Sequence, residues 1–363
     1  MKLRGKLAES GLRWMKWAGR QEQWWECKFV GEGVIDQGGG FRDSLCDMAE
    51  ELCPSDPARK SPLPFFIRSP NSFCSHADDT FLLNPGCSVQ RYGAELRWIG
   101  ELMGACFRSK EFLDLPLTRW TWKLLLGQEP NWTLDYTSVN QTLVRYLEQL
   151  EACPGEKEFA ALVAGHSLSF SCILSNGDEL PLIDGISADT GEQLCWKNRL
   201  AYVQLTRERL MKESKAQLSC LRAGLLSVIP DCALKLLSWQ ELELRICGNP
   251  KITVDALRAA VHYEEVDEHC RRVGYFWQAI EKFSMAERSK FLRFVSGRKR
   301  LPTQLYVCGE KSDHSLDSLP ESSTCSNTLY LPDYTSAKIC EEKLRYAVCH
   351  CHAIDADVSP WNG

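Results

Sequence analysis

Cysteine is the residue type best placed to do covalent chemistry in this chain, which holds 18 among 363 residues, with 7 His as potential bases. A thiol attacks only as its thiolate, so position and neighbours decide which cysteine matters. Cys325 stands apart, in Leu319-Pro-Glu-Ser-Ser-Thr-Cys-Ser-Asn-Thr-Leu-Tyr-Leu-Pro-Asp-Tyr, on a short polar loop before a strand. There a rigid element would hold an exposed thiol. No Lys, Arg or His adjoins it in sequence, so roughly a few per cent would be ionised at pH 7. That fraction suits exchange with a thioester, in which one thiolate displaces another at nearly equal energy.

Four other constellations carry less. Gly38-Gly-Gly with Gly31 and Gly33 fits neither the dinucleotide fingerprint nor a Gly-Lys-Ser/Thr phosphate loop, and reads as turn glycines. Cys349-His-Cys-His has metal-ligand types, but contiguous residues at a helix end cannot all face one ion and no second cluster follows. No metal and no cofactor is expected. Arg293, Arg298, Lys299 and Arg300 form a basic cluster that reads as a solvated helix end rather than an acid-group site. A papain-like Cys/His pair lacks its local signatures at every cysteine.

The elements that must position Cys325 follow from periodicity. Leu45, Met48, Ala49 and Leu52 make one helical face, and Leu96, Ile99, Gly100, Met103, Gly104 and Phe107 another, whose two glycines permit close helix packing. Between them, 53–92 is rich in Pro, Ser and Asp and is expected to be an irregular surface excursion. From about 140 to 206 the pattern mixes: Leu143, Leu147 and Leu150 read as helix, while Leu168, Phe170, Cys172 and Leu174 alternate as a strand that turns at Asn176-Gly-Asp. This is a small mixed subdomain inserted in a mainly helical one. Helix returns to 262, with Thr253 as an N-cap. The charged stretch 263–272 is a candidate hinge. Beyond it come a capping box at Ser284-Met-Ala-Glu, a stop at Gly297, strands at Leu305-Tyr-Val and Thr328-Leu-Tyr-Leu, and a helix face of Cys340, Leu344, Ala347 and Val348. That makes a separate α+β C-terminal lobe.

Composition is that of a globular protein of two or three domains: 44% hydrophobic, 25% charged, 12 Trp. Its 43 basic and 48 acidic residues give a net charge of −5, without the basic excess of a nucleic-acid binder. The first 20 residues carry Lys2, Arg4, Lys6, Arg13, Lys16 and Arg20 but no apolar signal core, and no run approaches a membrane span. A cytoplasmic or nuclear location is expected, with most thiols reduced and buried and the sequons at Asn131 and Asn140 accidental. No nucleic-acid or membrane partner is expected.

Five ordered motifs give the chain a resemblance to the HECT family of ubiquitin ligases. Phe29-Val-Gly-Glu-Gly-Val-Ile-Asp-Gln-Gly-Gly-Gly-Phe-Arg-Asp is similar to the family's F-x-G-E-x-G-x-D-x-G-G-x-x-R-E, and Trp98-Ile-Gly-Glu-Leu-Met-Gly-Ala to its F-I-G-R-x-x-G-x-A. Trp239-Gln-Glu-Leu-Glu-Leu-Arg-Ile-Cys-Gly is similar to N-E-L-E-L-x-x-C-G, and Phe291-Leu-Arg-Phe-Val-Ser-Gly to L-L-x-F-V-T-G. The run from Leu319 to Tyr334 matches L-P-x-x-x-T-C-x-N-x-L-x-L-P-x-Y, which surrounds the family's catalytic cysteine.

The resemblance implies a bilobal α+β fold: an N-lobe over 1–262, whose inserted subdomain at about 140–206 docks the ubiquitin-conjugating enzyme, a hinge at 263–272 and a C-lobe over 273–363. It implies that Cys325 accepts ubiquitin as a thioester and passes it to a lysine of a protein substrate, with Thr324 and Asn327 orienting the loop by backbone bonds. Two positions depart from the family pattern: Ser323 replaces a common His, and Pro360, beside Trp361, replaces a Phe common four places from the end. Asp355 and Asp357 read as a solvated acidic tail. The departures motivate an alternative, a catalytically weak module that binds ubiquitin or conjugating enzyme; a cysteine protease is a third reading. The short stretch before the first motif suggests a catalytic domain with little attached.

Overall fold

The computed structural model describes residues 24–25, 39–73, 79–109, 111–164, 169–183, 193–249, 251–302, 304–309, 316–324 and 326–350. Its helices are α1 (Gly39–Leu52), α2 (Val89–Ser109), α3 (Arg119–Leu126), α4 (Thr137–Ala152), α5 (Glu156–Leu162), α6 (Arg199–Lys212), α7 (Lys215–Val228), α8 (Asp231–Leu234), α9 (Trp239–Cys247), α10 (Val254–Ala260), α11 (Arg271–Lys282), α12 (Met285–Ser296) and α13 (Ala337–His350). The strands are β1 (Phe66–Arg68), β2 (Phe81–Leu83), β3 (Ser171–Ile173), β4 (Glu179–Pro181), β5 (Val261–Glu264), β6 (Leu305–Cys308), β7 (Glu321–Ser323) and β8 (Thr328–Tyr330). The described residues fall into two compact units, one of 50–104 with 115–243, the other of the stretch up to Ala49 with 105–114 and the chain from Leu244 onward. Among the described residues no helix is long and apolar enough to cross a membrane.

In the first unit, α2 buries Leu96, Ile99 and Met103. Gly100 lies against the Leu221 carbonyl of α7, and Gly224 of α7 lies against the Arg97 carbonyl of α2. A Cβ at either position would overlap backbone, so the crossing requires glycine on both helices. The expected small face on α2 is there; its partner glycine on α7 came from no pattern.

Residues 53–92 depart from the expected excursion. Phe66-Ile67-Arg68 and Phe81-Leu82-Leu83 form the antiparallel pair β1 and β2, and Phe65, Phe66, Phe81, Leu82 and Leu83 are buried. Prolines dominate the composition of this stretch, yet two apolar runs of three residues suffice to anchor it.

The mixed region from 140 to 206 exists as α4, α5, the β3–β4 hairpin and the start of α6. It is not closed off at 140: Val144, Leu147, Leu150, Phe159, Phe170, Cys172 and Tyr202 share one core with Leu82, Trp120, Trp132 and Tyr136. The hairpin turns where expected, with Gly177 at φ 90° and Leu174 N–H donating to the Asp178 carbonyl at 2.8 Å. Phe170 and Cys172 point inward while Ile173 is 64% exposed. Ser175 fastens the turn to the end of α6, its Oγ donating to Glu213 at 2.6 Å. Both sequon asparagines cap helical turns: Asn131 accepts from Leu134 N–H at 2.9 Å, and Asn140, at a kink inside α4, from Leu143 N–H at 3.0 Å.

The second unit carries a four-stranded sheet in the order β5-β6-β8-β7, parallel except for β7 against β8. Leu305, Val307, Leu329 and Leu331 from the sheet pack with Phe276, Ile280, Leu292, Cys340 and Leu344 from α11, α12 and α13. The local signals hold: Thr253 caps α10, Ser284 and Glu287 close a capping box on α12, and Gly297 ends that helix in the left-handed region at φ 65°. The stretch 263–272, read as a hinge, divides between elements and loop, with 265–270 outside helix and strand. Tyr263 and Glu264 belong to β5 and pair with Val307 and Cys308, and Arg272 donates to the Leu331 carbonyl at 2.9 Å. An edge strand facing water is as charged as a linker.

Candidate functional site

Cys325 lies outside the described residues, as do Gly31, Gly33, Gly38, Cys351, His352, Asp355, Asp357, Pro360 and Trp361. The residues on either side of Cys325 are described, and they define how its loop is held. Ser323 pairs with Thr328 in the β7–β8 register, so Thr324, Ser326 and Asn327 lie in the connection between the two strands. β8 is an inner strand with Leu329 fully buried, which gives the loop a rigid base.

Each described loop residue has a distinct task. Thr324 is buried, and its carbonyl accepts a hydrogen bond from Arg42 Nη1 at 3.3 Å. Ser326 Oγ lies 2.8 Å from Thr328 Oγ1. Asn327 has φ 55°, a left-handed conformation that asparagine tolerates better than most residues. Its Nδ2 donates to the Gln304 carbonyl at 3.3 Å, and its own carbonyl accepts from Tyr306 N–H at 2.9 Å. Just upstream, Ser322 Oγ donates to the Phe294 carbonyl of α12 at 2.7 Å. The loop is thus tied to β6, α12 and α1.

Sequence reasoning missed Arg42 as a site residue, because 282 positions separate it from Thr324. The signal was present: Arg42 is the penultimate residue of the first of the five motifs. The basic cluster also reads differently in the structure. Arg293 pairs with Asp43 and Asp47, at 2.9 and 2.8 Å, Arg298 with Glu111 at 2.7 Å, and Arg300 with Asp114. These arginines bind acids of α1 and of the 111–114 segment, so they are neither a solvated helix end nor a ligand site.

The buried thiols are poor nucleophiles for a physical reason. Burial pushes Cys46 up to about 11 and Cys172 and Cys340 to about 12, and raises Cys106 well above the ordinary range. Cys349 is half-buried, and His350 Nδ1 lies 2.9 Å from the Tyr346 carbonyl on its own helix. Among the described residues no group of three His, Cys, Asp or Glu side chains could hold a metal ion.

Within the first unit, a cavity of about 1470 Å³ opens between the Pro57–Pro64 stretch and the 140–206 region. Phe73, Leu143, Tyr146, Ile173, Leu174 and Tyr202 contribute its apolar lining. It is a groove able to take apolar side chains from a partner.

A mainly helical unit, together with an α+β unit that carries the sequence Thr-Cys-x-Asn between β7 and β8, is the class of a HECT-type domain. The family model described as HECT-domain (ubiquitin-transferase) matches residues 57–356, and the chain belongs to this family. Among curated relatives, E3 ubiquitin-protein ligase HERC2 of Mus musculus is 32% identical over 347 residues, covering 92% of this chain and 7% of that protein. The probable E3 ubiquitin-protein ligase HECTD4 of Homo sapiens is 28% identical, covering 88% of this chain and 9% of its own length. E3 ubiquitin-protein ligase HUWE1 of Mus musculus is 26% identical over 285 residues, 75% of this chain and 6% of that protein. The chain therefore spans less than a tenth of the length of these three relatives.

Proposed function

We propose that the chain is a ubiquitin transferase that works through Cys325. The Cys325 thiolate attacks the carbonyl carbon of a thioester linking the C-terminus of ubiquitin to a conjugating enzyme, and the conjugating enzyme's cysteine leaves as thiolate. A deprotonated substrate lysine then attacks the new thioester, and Cys325 leaves in turn. No ATP is needed, because the thioester keeps the acyl group activated; placement of the amine sets the rate. Membership of the HECT family carries this reading.

The lobes of the sequence reading remain part of the proposal, with the cysteine-bearing lobe starting no later than β5. The 140–206 region and its apolar groove are the surface proposed for the conjugating enzyme. Within the family we place the chain nearest HECT domain-containing protein 3, on Glu321-Ser-Ser-Thr-Cys-Ser and the Ser359-Pro-Trp tail. Cytoplasmic or nuclear residence is likewise our proposal.

The test is incubation with activated ubiquitin and a conjugating enzyme. A reductant-sensitive adduct is expected, absent in Cys325→Ala and converted in Cys325→Ser to a reductant-resistant, alkali-labile ester. No adduct with the unaltered chain sinks the reading in favour of a binding module. Peptide-bond cleavage blocked by the same substitution would indicate a protease instead.

A further inference from the structure

We propose that Arg42 is a positioning residue for the nucleophile loop, and that Glu111 and Arg298 brace it; the proposal rests on the role of Cys325 proposed above. The arrangement is a relay within the second unit. Arg42 Nη1 donates to the carbonyl of Thr324, the residue bonded directly to Cys325. Arg42 Nε lies 3.5 Å from Glu111, and Glu111 also takes Arg298 at 2.7 Å. The three side chains are only 13–15% exposed, so water competes weakly for these bonds.

The framework behind Arg42 is fixed as well. Asp43 and Asp47, on the same helix, grip Arg293 of α12, and Cys46 Sγ lies 3.2 Å from the Gly297 carbonyl at the end of that helix. Ser322 meets α12 one turn earlier, at the Phe294 carbonyl. The strand entering the loop is therefore held at Ser322 by α12 and at Thr324 by α1.

The carbonyl of Thr324 and the N–H of Cys325 belong to one planar peptide unit. Fixing the carbonyl direction fixes the plane from which the Cys325 Cα–Cβ bond departs. Next comes a sulfur that must meet a carbonyl carbon at near-attack distance, where misplacement by about 1 Å can cost a hundredfold in rate. A charged donor at the preceding carbonyl is a sparing way to set that geometry, since it acts through the backbone and makes no contact with the thiol itself.

Arg42→Ala is the first variant, because Glu111 keeps Arg298 and is not left without a partner. Loading of Cys325 is followed against the concentration of ubiquitin-charged conjugating enzyme, beside the melting temperature and iodoacetamide alkylation of the Cys325 peptide. We expect kcat for loading to fall about tenfold with KM within about twofold, while alkylation and melting stay near those of the unaltered chain. Arg42→Lys, which keeps a cationic donor, should recover much of the loss. An unchanged kcat, or a loss confined to KM, overturns the proposal. If Arg42→Ala does not fold, Glu111→Gln decides: a slower kcat supports the relay, and an unchanged kcat rejects it. Absence of any Cys325-dependent adduct in the unaltered chain strikes the proposed function instead, and so the two failures are distinguishable.

Discussion

At the scale of single residues, the excess of cysteine resolves into thiols of very different reactivity. With Cys46 at about 11, the ionised fraction at neutral pH is about a hundredfold below that of an ordinary thiol, before any exclusion of reagent by burial. Iodoacetamide at pH 7.5 should therefore modify exposed Cys195 and Cys232 well ahead of Cys46, Cys106, Cys172 and Cys340, as peptide mass spectrometry would show. Comparable rates at Cys46 and Cys195 would contradict the burial. The same shifts predict a dependence of stability on pH. Folded values above unfolded ones mean that the unfolded chain loses protons first as pH rises, so this contribution is intact below pH 9 and is lost towards pH 11–12. Urea midpoints under reductant should fall from pH 8.5 to pH 10.5, and fall less in Cys340→Ala.

At the scale of elements, the legible features were those whose cause is local. Ser284 and Glu287 sit three apart and close a capping box, Thr253 caps α10, and Gly297 stops α12, because each depends on the backbone of its own turn. Strands of three residues, such as β1 and β2, have no periodicity to read, and β5 looked like a linker because pairing with β6 is decided 44 residues downstream. The α2–α7 crossing lies between these cases, for one glycine face was visible and the other was not. Gly100→Ala or Gly224→Ala would drive a methyl group into a backbone carbonyl and should cost about 3 kcal/mol. Gly274→Ala is the matched control on α11, where nothing lies within 4 Å of the added carbon, and it should gain about 0.5–1 kcal/mol. Denaturant titration of the three variants checks the sign in each; equal effects would mean that helix propensity, not close approach, sets these positions.

At the scale of the whole molecule, the cysteine proposed as nucleophile is marked by one stretch of sequence, while the residues that hold its neighbours are not. The motif around Cys325 is contiguous, so one stretch of sequence names it, whereas the Arg42 bond to Thr324 joins the two ends of the chain and needs the fold. The groove proposed for the conjugating enzyme has the same character, being assembled from the Pro57–Pro64 stretch, α4, the β3–β4 hairpin and α6. Ile173 is the residue through which it can be tested, since it lines this groove, is 64% exposed and takes no part in the core that Cys172 fills beside it. A carboxylate at that position removes apolar contact area and puts a charge where a partner's apolar side chain would have to be desolvated against it. Ile173→Asp should therefore slow loading of Cys325 from charged conjugating enzyme about tenfold, chiefly through KM, leaving iodoacetamide alkylation of Cys325 and the melting temperature unchanged. That is the reverse of the split expected for Arg42→Ala, so the pair assigns one residue to docking and the other to positioning. Loading by Ile173→Asp at the rate of the unaltered chain would mean that the conjugating enzyme binds elsewhere.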